Sequence, residues 1–160
     1  REMDEITHIL ERPGMWVGSV KEEQKQMFLY NTESKVMETR EITYIPAMLK
    51  VVDEVISNSC DEYRRPTNMG LNKLKVTISS DGWVEIEDNG KGIAQKDLGR
   101  IFERFYRTDA SRNSAQGGSG IGLSIVKKII EDHGGYIWAS GKEGEGTCIH
   151  FVIRKYKEIV

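Results

Sequence analysis

Residues 46–63, PAMLKVVDEVISNSCDEY, keep a helical period over eighteen positions with no breaker after the opening proline. Pro46 suits the first helical position, where its missing amide proton costs nothing. A helix turns about 100° per residue, so Glu54, Asn58 and Asp61 fall within roughly a 60° arc. Leu49, Val52, Ile56, Cys60 and Tyr63 lie opposite, and that side is expected to be buried. Burial of the apolar side explains the helix but leaves the acid–amide–acid stripe open. It reads either as a solvated face or as the wall of a polar site.

The segments around this helix have strand character. Residues 1–20 read as a short helix, a Pro-Gly turn and a loop. Residues 27–30 and 41–45 are apolar and β-branched on either side of the polar run NTESK, which predicts a strand pair. After a polar connection over 64–72, Leu74, Val76 and Ile78 alternate with Lys75, Thr77 and Ser79, the pattern of a half-buried strand. Asp81-Gly82 is a hairpin signal, and residues 83–87 form the return strand.

That return strand carries a chemical question. Val84 and Ile86 share a face, and the period of two puts Asp88 on the same face. A carboxylate closing an apolar face needs a partner, because burying it unpaired is costly. One answer is a tight Asp88-Asn89-Gly90 turn in which Asp88 bonds its own backbone. The other is a pocket floor that accepts a hydrogen bond from a ligand amine. Gly90 and Gly92 would then let the backbone approach that ligand.

Residues 95–107, with Leu98, Ile101, Phe102 and Phe105, read as a short amphipathic helix packed on the core. Residues 108–120, TDASRNSAQGGSG, are small, polar and glycine-ended, which suits a mobile lid. Gly120-Ile121-Gly122-Leu123 then opens a helix with Ile121, Ile125, Ile129 and His133 in register, stopped by Gly134-Gly135. Glycines feeding a helix N-terminus make an anion site from free amides and the positive dipole end. The run is neither a dinucleotide fingerprint nor a Gly-Lys-Ser/Thr phosphate loop. His133 reads as packed or capping. Residues 136–140 and 147–154, around the turn Gly144-Glu145-Gly146, complete the chain as two strands.

Composition removes some function classes. With 23 basic and 25 acidic residues and a formal charge of -2, no electrostatic grip on nucleic acid or an anionic membrane is expected. There is no long apolar run and no signal peptide. Cys60 and Cys148 lack metal-ligand spacing and read as reduced thiols of a cytoplasmic protein. At 160 residues a single domain, 1–160, and a monomer are expected. A start at Arg1 rather than Met suggests a piece excised from a longer chain.

Taken together, EVISNSCDE, DNGKGI, IFERFYR, GGSGIGLSIVKKIIEDHGG and GEGT resemble the GHKL ATPase superfamily, whose nucleotide site is the Bergerat fold. The resemblance implies an α+β, two-layer α/β sandwich: a mixed, mainly antiparallel sheet with helices on one face and ATP held between helices and lid. Residues 1 to about 90 (THILERPGMWVGS, YIPAMLKVVDEVISNSCDE) resemble the ATPase domain of type II DNA topoisomerases. Residues from about 88 to 160 (FERFYRTDASR through GEGTCIHFVI) resemble the catalytic domain of sensor histidine kinases. This mixture is expected of a chimera joined near the shared DNGKGI segment.

The resemblance implies roles. Asp88 would accept from the adenine amino group, with Thr147 supporting the base through a water. Asn58 would give one oxygen to Mg²⁺, the second cofactor beside ATP. Gly118, Gly120 and Gly122 would offer amides to the phosphates, and Arg107 would lie near them. Asp61, Gly90, Gly92, Ile93 and Leu123 would complete the ATP site. Glu54 resembles the topoisomerase general base that deprotonates the attacking water. Glu62 and Lys91 match a topoisomerase ion pair beside the site, or are an ordinary surface pair.

Neither parent's full machinery is visible. None of His8, His133 and His150 has the helical-hairpin setting of a phosphoacceptor, and neither a transducer nor a cleavage core is expected in these residues. The expected function is an ATP/Mg-binding module with slow hydrolysis at best. The alternatives are a detached kinase domain, which alone needs a phosphoacceptor partner, and an inactive folded chimera.

Overall fold

In the computed structural model, residues 17–64, 70–108 and 120–153 are described. The short helix expected near the start, the lid with Gly118, and Arg154 lie wholly or mainly outside these residues. The chain divides into two compact units, Arg1–Lys50 and Val51–Val160.

The first unit contains the expected strand pair, longer than its apolar cores. β1 (Glu23–Tyr30) pairs antiparallel with β2 (Met37–Tyr44) in full register, Glu23 opposite Tyr44 and Tyr30 opposite Met37. The polar run between them turns because the Asn31 side-chain oxygen accepts from the amides of Glu33 and Ser34 at 2.9 and 3.1 Å.

α1 (Pro46–Tyr63) starts and stops where the sequence places it. Its buried face does not. Ala47, Val51 and Val55 are 0, 0 and 2% exposed, whereas Leu49 and Tyr63 are each 58% exposed and Cys60 is exposed. Val52 and Ile56 are half-buried. The helix is apolar over more than one side, so period alone does not choose which side is covered.

The second unit is built on a four-stranded sheet of β3 (Leu74–Ile78), β4 (Trp83–Asp88), β5 (Tyr136–Lys142) and β6 (Gly146–Val152) in the order β3-β4-β6-β5. Each neighbouring pair is antiparallel. One face carries Val84, Ile86, Ile137, Ile149 and Phe151, all buried. α2 (Gly122–Asp132) packs on β5 and buries Val126, Ile129 and Ile130. On the other face, Trp138 stacks on His150 at 5.1 Å and Trp83 meets Trp138 edge-on at 5.1 Å.

Two further expectations are corrected. Leu74, Val76 and Ile78 share the core face by register, yet they are 38, 40 and 68% exposed because β3 is an edge strand. Residues 95–105 form successive turns rather than a helix, with Asp97 N–H donating to Ala94 O, Arg100 to Asp97 and Glu103 to Arg100. Three-residue turns repeat apolar positions much as a helix does, so Leu98, Ile101 and Phe102 are buried as expected. Phe105 is not: it is 56% exposed at φ 60.

Candidate functional site

The second unit contains a pocket of about 130 Å³. α1 contributes Val55, Asn58, Ser59 and Glu62; the segment after β4 contributes Lys91, Gly92 and Ile93. Ile101, Leu123, Ile149, Thr147 and Asp88 close it. Walls are apolar and the few polar groups converge, which is the make-up of a small-molecule site.

Asp88 ends β4 directly opposite Thr147 of β6. The turn reading of Asp88 is realised, and the same residue lines the pocket. One carboxylate oxygen accepts from the Gly90 amide at 2.9 Å, which makes the turn. The other accepts from the Ser59 hydroxyl at 2.9 Å, which ties the pocket floor to α1. An ionised carboxylate has about four lone-pair sites, so two bonds leave it able to accept from a ligand.

The glycines beside it serve packing. Gly92 has φ 69, and a β-carbon there would lie 1.9 Å from the Lys142 carbonyl oxygen in the β5–β6 turn. A β-carbon on Gly146 would lie 2.1 Å from the Asp88 carbonyl oxygen. At both positions the fold itself requires glycine, because backbone crosses backbone there. Gly90 is buried beneath the floor, where a β-carbon would meet Leu71 at 2.6 Å.

Asn58, Asp88, Gly92, Ile93, Leu123 and Thr147 are thus brought together around one cavity. Asp61 is not: its carboxylate is 62% exposed and sits 3.9 Å from Arg64. Glu54 lies beside the lining, at the start of α2, where a β-carbon on Gly122 would be 2.9 Å from its Oε2. Gly120 and Arg107 meet away from the lining: the Phe105 amide donates to Gly120 O at 3.0 Å, and Arg107 packs on Gly120. Gly118 is outside the described residues.

The Lys91 ammonium is 3.1 Å from Glu62, with side chains 27% and 15% exposed, so this pair is part of the pocket wall. Sequence reasoning missed Val55, Ser59, Ile101 and Ile149. Ile149 was recoverable, being two residues from Thr147 and therefore on its face. Ser59 left no signal, since its partner is 29 residues away.

Comparison with known proteins follows the same lines. Residues 44–157 match the family model described as histidine kinase-, DNA gyrase B-, and HSP90-like ATPase. The chain is 37% identical over 112 residues to the sensor histidine kinase WalK of Bacillus subtilis, covering 68% of this chain and 18% of that protein. It is 38% identical over 106 residues to the sensor protein kinase WalK of Staphylococcus aureus, covering 66% and 26%. It therefore spans well under a third of these relatives.

Among solved structures, the ATPase and transducer domains of DNA topoisomerase II from Balamuthia mandrillaris superpose with a TM-score of 0.68 at 20% identity, covering 96% of this chain and 49% of that one. The ATPase region of Saccharomyces cerevisiae topoisomerase II gives 0.63 at 18%, covering 96% and 50%. The mycobacterial sensor histidine kinase MprB gives 0.50 at 27%, covering 74% and 78%. The architecture is the α+β Bergerat fold expected from the motifs.

Proposed function

Because the chain belongs to the histidine kinase-, DNA gyrase B-, and HSP90-like ATPase family, we propose that it binds ATP with Mg²⁺ in this pocket and hydrolyses it slowly at best. The observation carrying this reading is the Asp88 carboxylate held at the floor of an apolar cavity by Ser59 and Gly90. Adenine presents an amino donor on a flat apolar ring, and an acceptor below apolar walls fits it. The cavity is smaller than the roughly 300–1,000 Å³ of whole-ligand clefts, so it suits the base, with the phosphates outside.

Asn58 is exposed at the pocket edge, where its amide oxygen is free to turn toward the phosphates. Among the described residues no group of three or more His, Cys, Asp or Glu could hold a metal. Magnesium taken with the nucleotide fits such a site, since it binds by one or two protein oxygens, phosphates and waters. It would supply charge neutralisation at the phosphates. Glu54 is the group proposed to take a proton from water at the phosphate end, and its place against Gly122 at the start of α2 supports that reading.

Calorimetry with ATP and ADP, together with turnover of Glu54→Gln, tests this. Binding kept and turnover lost supports Glu54 as the base. Absence of binding in the unmodified chain sinks the proposal.

A second reading follows from 37% identity to a sensor histidine kinase: catalysis of phosphoryl transfer to a histidine on a partner domain. Incubation with a dimerised phosphoacceptor domain and labelled ATP should leave acid-labile phosphate on that domain, and none would exclude this reading. Joining of two branches in one chain is proposed as well. Its support is that topoisomerase folds cover 96% of the chain, while the kinase relatives cover 66–68% at higher identity.

A further inference from the structure

Glu85, Ser140 and His150 gather on the face of the sheet opposite the pocket. The period of two sets Asp88, Thr147 and Ile149 on one face and these three residues on the other. His150 of β6 stands directly across from Glu85 of β4 on one side and from Trp138 of β5 on the other. Ser140, two residues beyond Trp138, reaches diagonally to the same imidazole ring.

Both ring nitrogens are engaged. The Ser140 Oγ is 2.7 Å from His150 Nε2, and His150 Nδ1 is 3.2 Å from the Glu85 Oε1. Glu85 decides which nitrogen carries the proton. A carboxylate only accepts, so Nδ1 bears the hydrogen, Nε2 is bare, and the Ser140 hydroxyl donates to it. A hydrogen bond from the Trp83 side chain, and after it the one from His150, holds the Glu85 carboxyl below the usual range and so keeps it ionised. Trp138 stacks on the imidazole with ring centres 5.1 Å apart and planes 10° from parallel, which fixes the ring. The His150 side chain is 15% exposed, whereas Ser140 is exposed. The base is sheltered and the oxygen it faces is within reach of solvent.

We propose that Ser140 is a nucleophile toward activated esters, with His150 as its general base and Glu85 as the positioning residue. A hydroxyl within hydrogen-bond reach of a histidine, itself oriented by a carboxylate, is how serine is activated on unrelated folds. The Ser140 oxygen bonds to the ester carbonyl carbon as its proton passes to Nε2. Glu85 at Nδ1 and the π face of Trp138 stabilise the imidazolium that forms. Collapse breaks the bond to the leaving oxygen, which takes the proton from Nε2 and departs as an alcohol or phenol. Water then attacks the acyl group and gives a proton to Nε2. The acid leaves, and the Ser140 oxygen takes the proton back.

Cys148 lies beside the ring, its sulfur 3.9 Å from Nδ1, but it is not the nucleophile. Partial burial, with the carboxylates of Glu85, Glu87 and Asp88, pushes its thiol up to about 11, so it stays protonated near neutrality. Because Ser140 is exposed, binding contributes little and the leaving group must supply the driving force. Aryl esters of short acids, whose phenols leave readily, are the matching class.

The test uses a fluorophosphonate on the 160-residue chain at about pH 8, read by peptide mass spectrometry. Fluoride leaves as the Ser140 oxygen bonds to phosphorus, and one label on Ser140 is expected. Ser140→Ala should abolish it, and His150→Gln should slow it at least tenfold. Glu85→Gln should slow it as much, and Glu85→Asp should restore part of the rate. Nitrogen NMR of the imidazoles should find His150 protonated at Nδ1 in the native chain and moved toward Nε2 in Glu85→Gln. With the exposed thiol removed by Cys60→Ser, p-nitrophenyl acetate should give an initial burst of nitrophenolate that Ser140→Ala lacks. A native chain that takes no label, a label retained in Ser140→Ala, or a native His150 protonated at Nε2 each overturns the proposal.

Discussion

The Ser59 hydroxyl donates to the Asp88 carboxylate at 2.9 Å, joining the C-terminal part of α1 to the end of β4 across the floor of the pocket. Asp88→Asn is expected to reduce ATP affinity by about 30- to 160-fold, since losing a charge-assisted hydrogen bond to a buried partner costs roughly 2–3 kcal/mol. Ser59→Ala removes a positioning bond only and should weaken binding by less than about tenfold. Titration calorimetry of both variants checks the order. Equal losses would mean that the adenine lies elsewhere.

The Lys91–Glu62 pair is half-buried at 3.1 Å and lines the same pocket. Lys91→Met should destabilise the fold by about 1–2 kcal/mol, chiefly by leaving the Glu62 carboxylate desolvated without its cation. Lys91→Met with Glu62→Gln should recover part of that loss. Urea unfolding of the single and double variants measures the coupling, and additive losses would show the pair to be inert.

Much of this architecture was legible. Pro46, an unbroken period and the polar residues after Tyr63 bounded α1, because helix ends are decided locally. Asp88 was legible as a pocket residue because strand period transmits the face of Val84 and Ile86 to it. The buried side of α1 was not, since Leu49 and Tyr63 are larger than Ala47 and Val51 and would bury more surface. Which side is covered depends on residues distant in sequence. Residues 95–105 misled for a related reason: turns place Leu98 and Ile101 three apart, as a helix would.

Gly92 and Gly99 should respond oppositely to alanine. At Gly92 the left-handed backbone and a β-carbon 1.9 Å from the Lys142 carbonyl leave no room, because a backbone atom cannot swing aside. Gly92→Ala should cost more than about 2 kcal/mol in urea unfolding, adding strain to overpacking. A β-carbon on Gly99 meets nothing within 4 Å, and alanine there should be neutral or stabilise by up to about 1 kcal/mol. A tolerated Gly92→Ala would show that the Lys142 carbonyl does not crowd this position.

The two thiols should differ sharply in chemistry. Cys60 is exposed on α1, while Cys148 is half-buried on β6. Partial burial, together with the carboxylates of Glu85, Glu87 and Asp88, pushes the Cys148 thiol up to about 11. Only the thiolate is nucleophilic, so at pH 8 about one Cys148 in a thousand is reactive. Iodoacetamide at pH 8 should therefore label Cys60 first, and mass spectrometry of peptides should find Cys148 largely unmodified. Labelling of Cys148 should keep rising beyond pH 10. The linkage has a definite sign: the folded state holds this proton more tightly than the unfolded chain, whose thiol ionises near 9. Stability from this group is thus present below about pH 9 and lost as pH rises toward 11. Replacing Cys148 with Ser should flatten that part of the alkaline unfolding curve, and an unchanged curve would assign the loss to other groups.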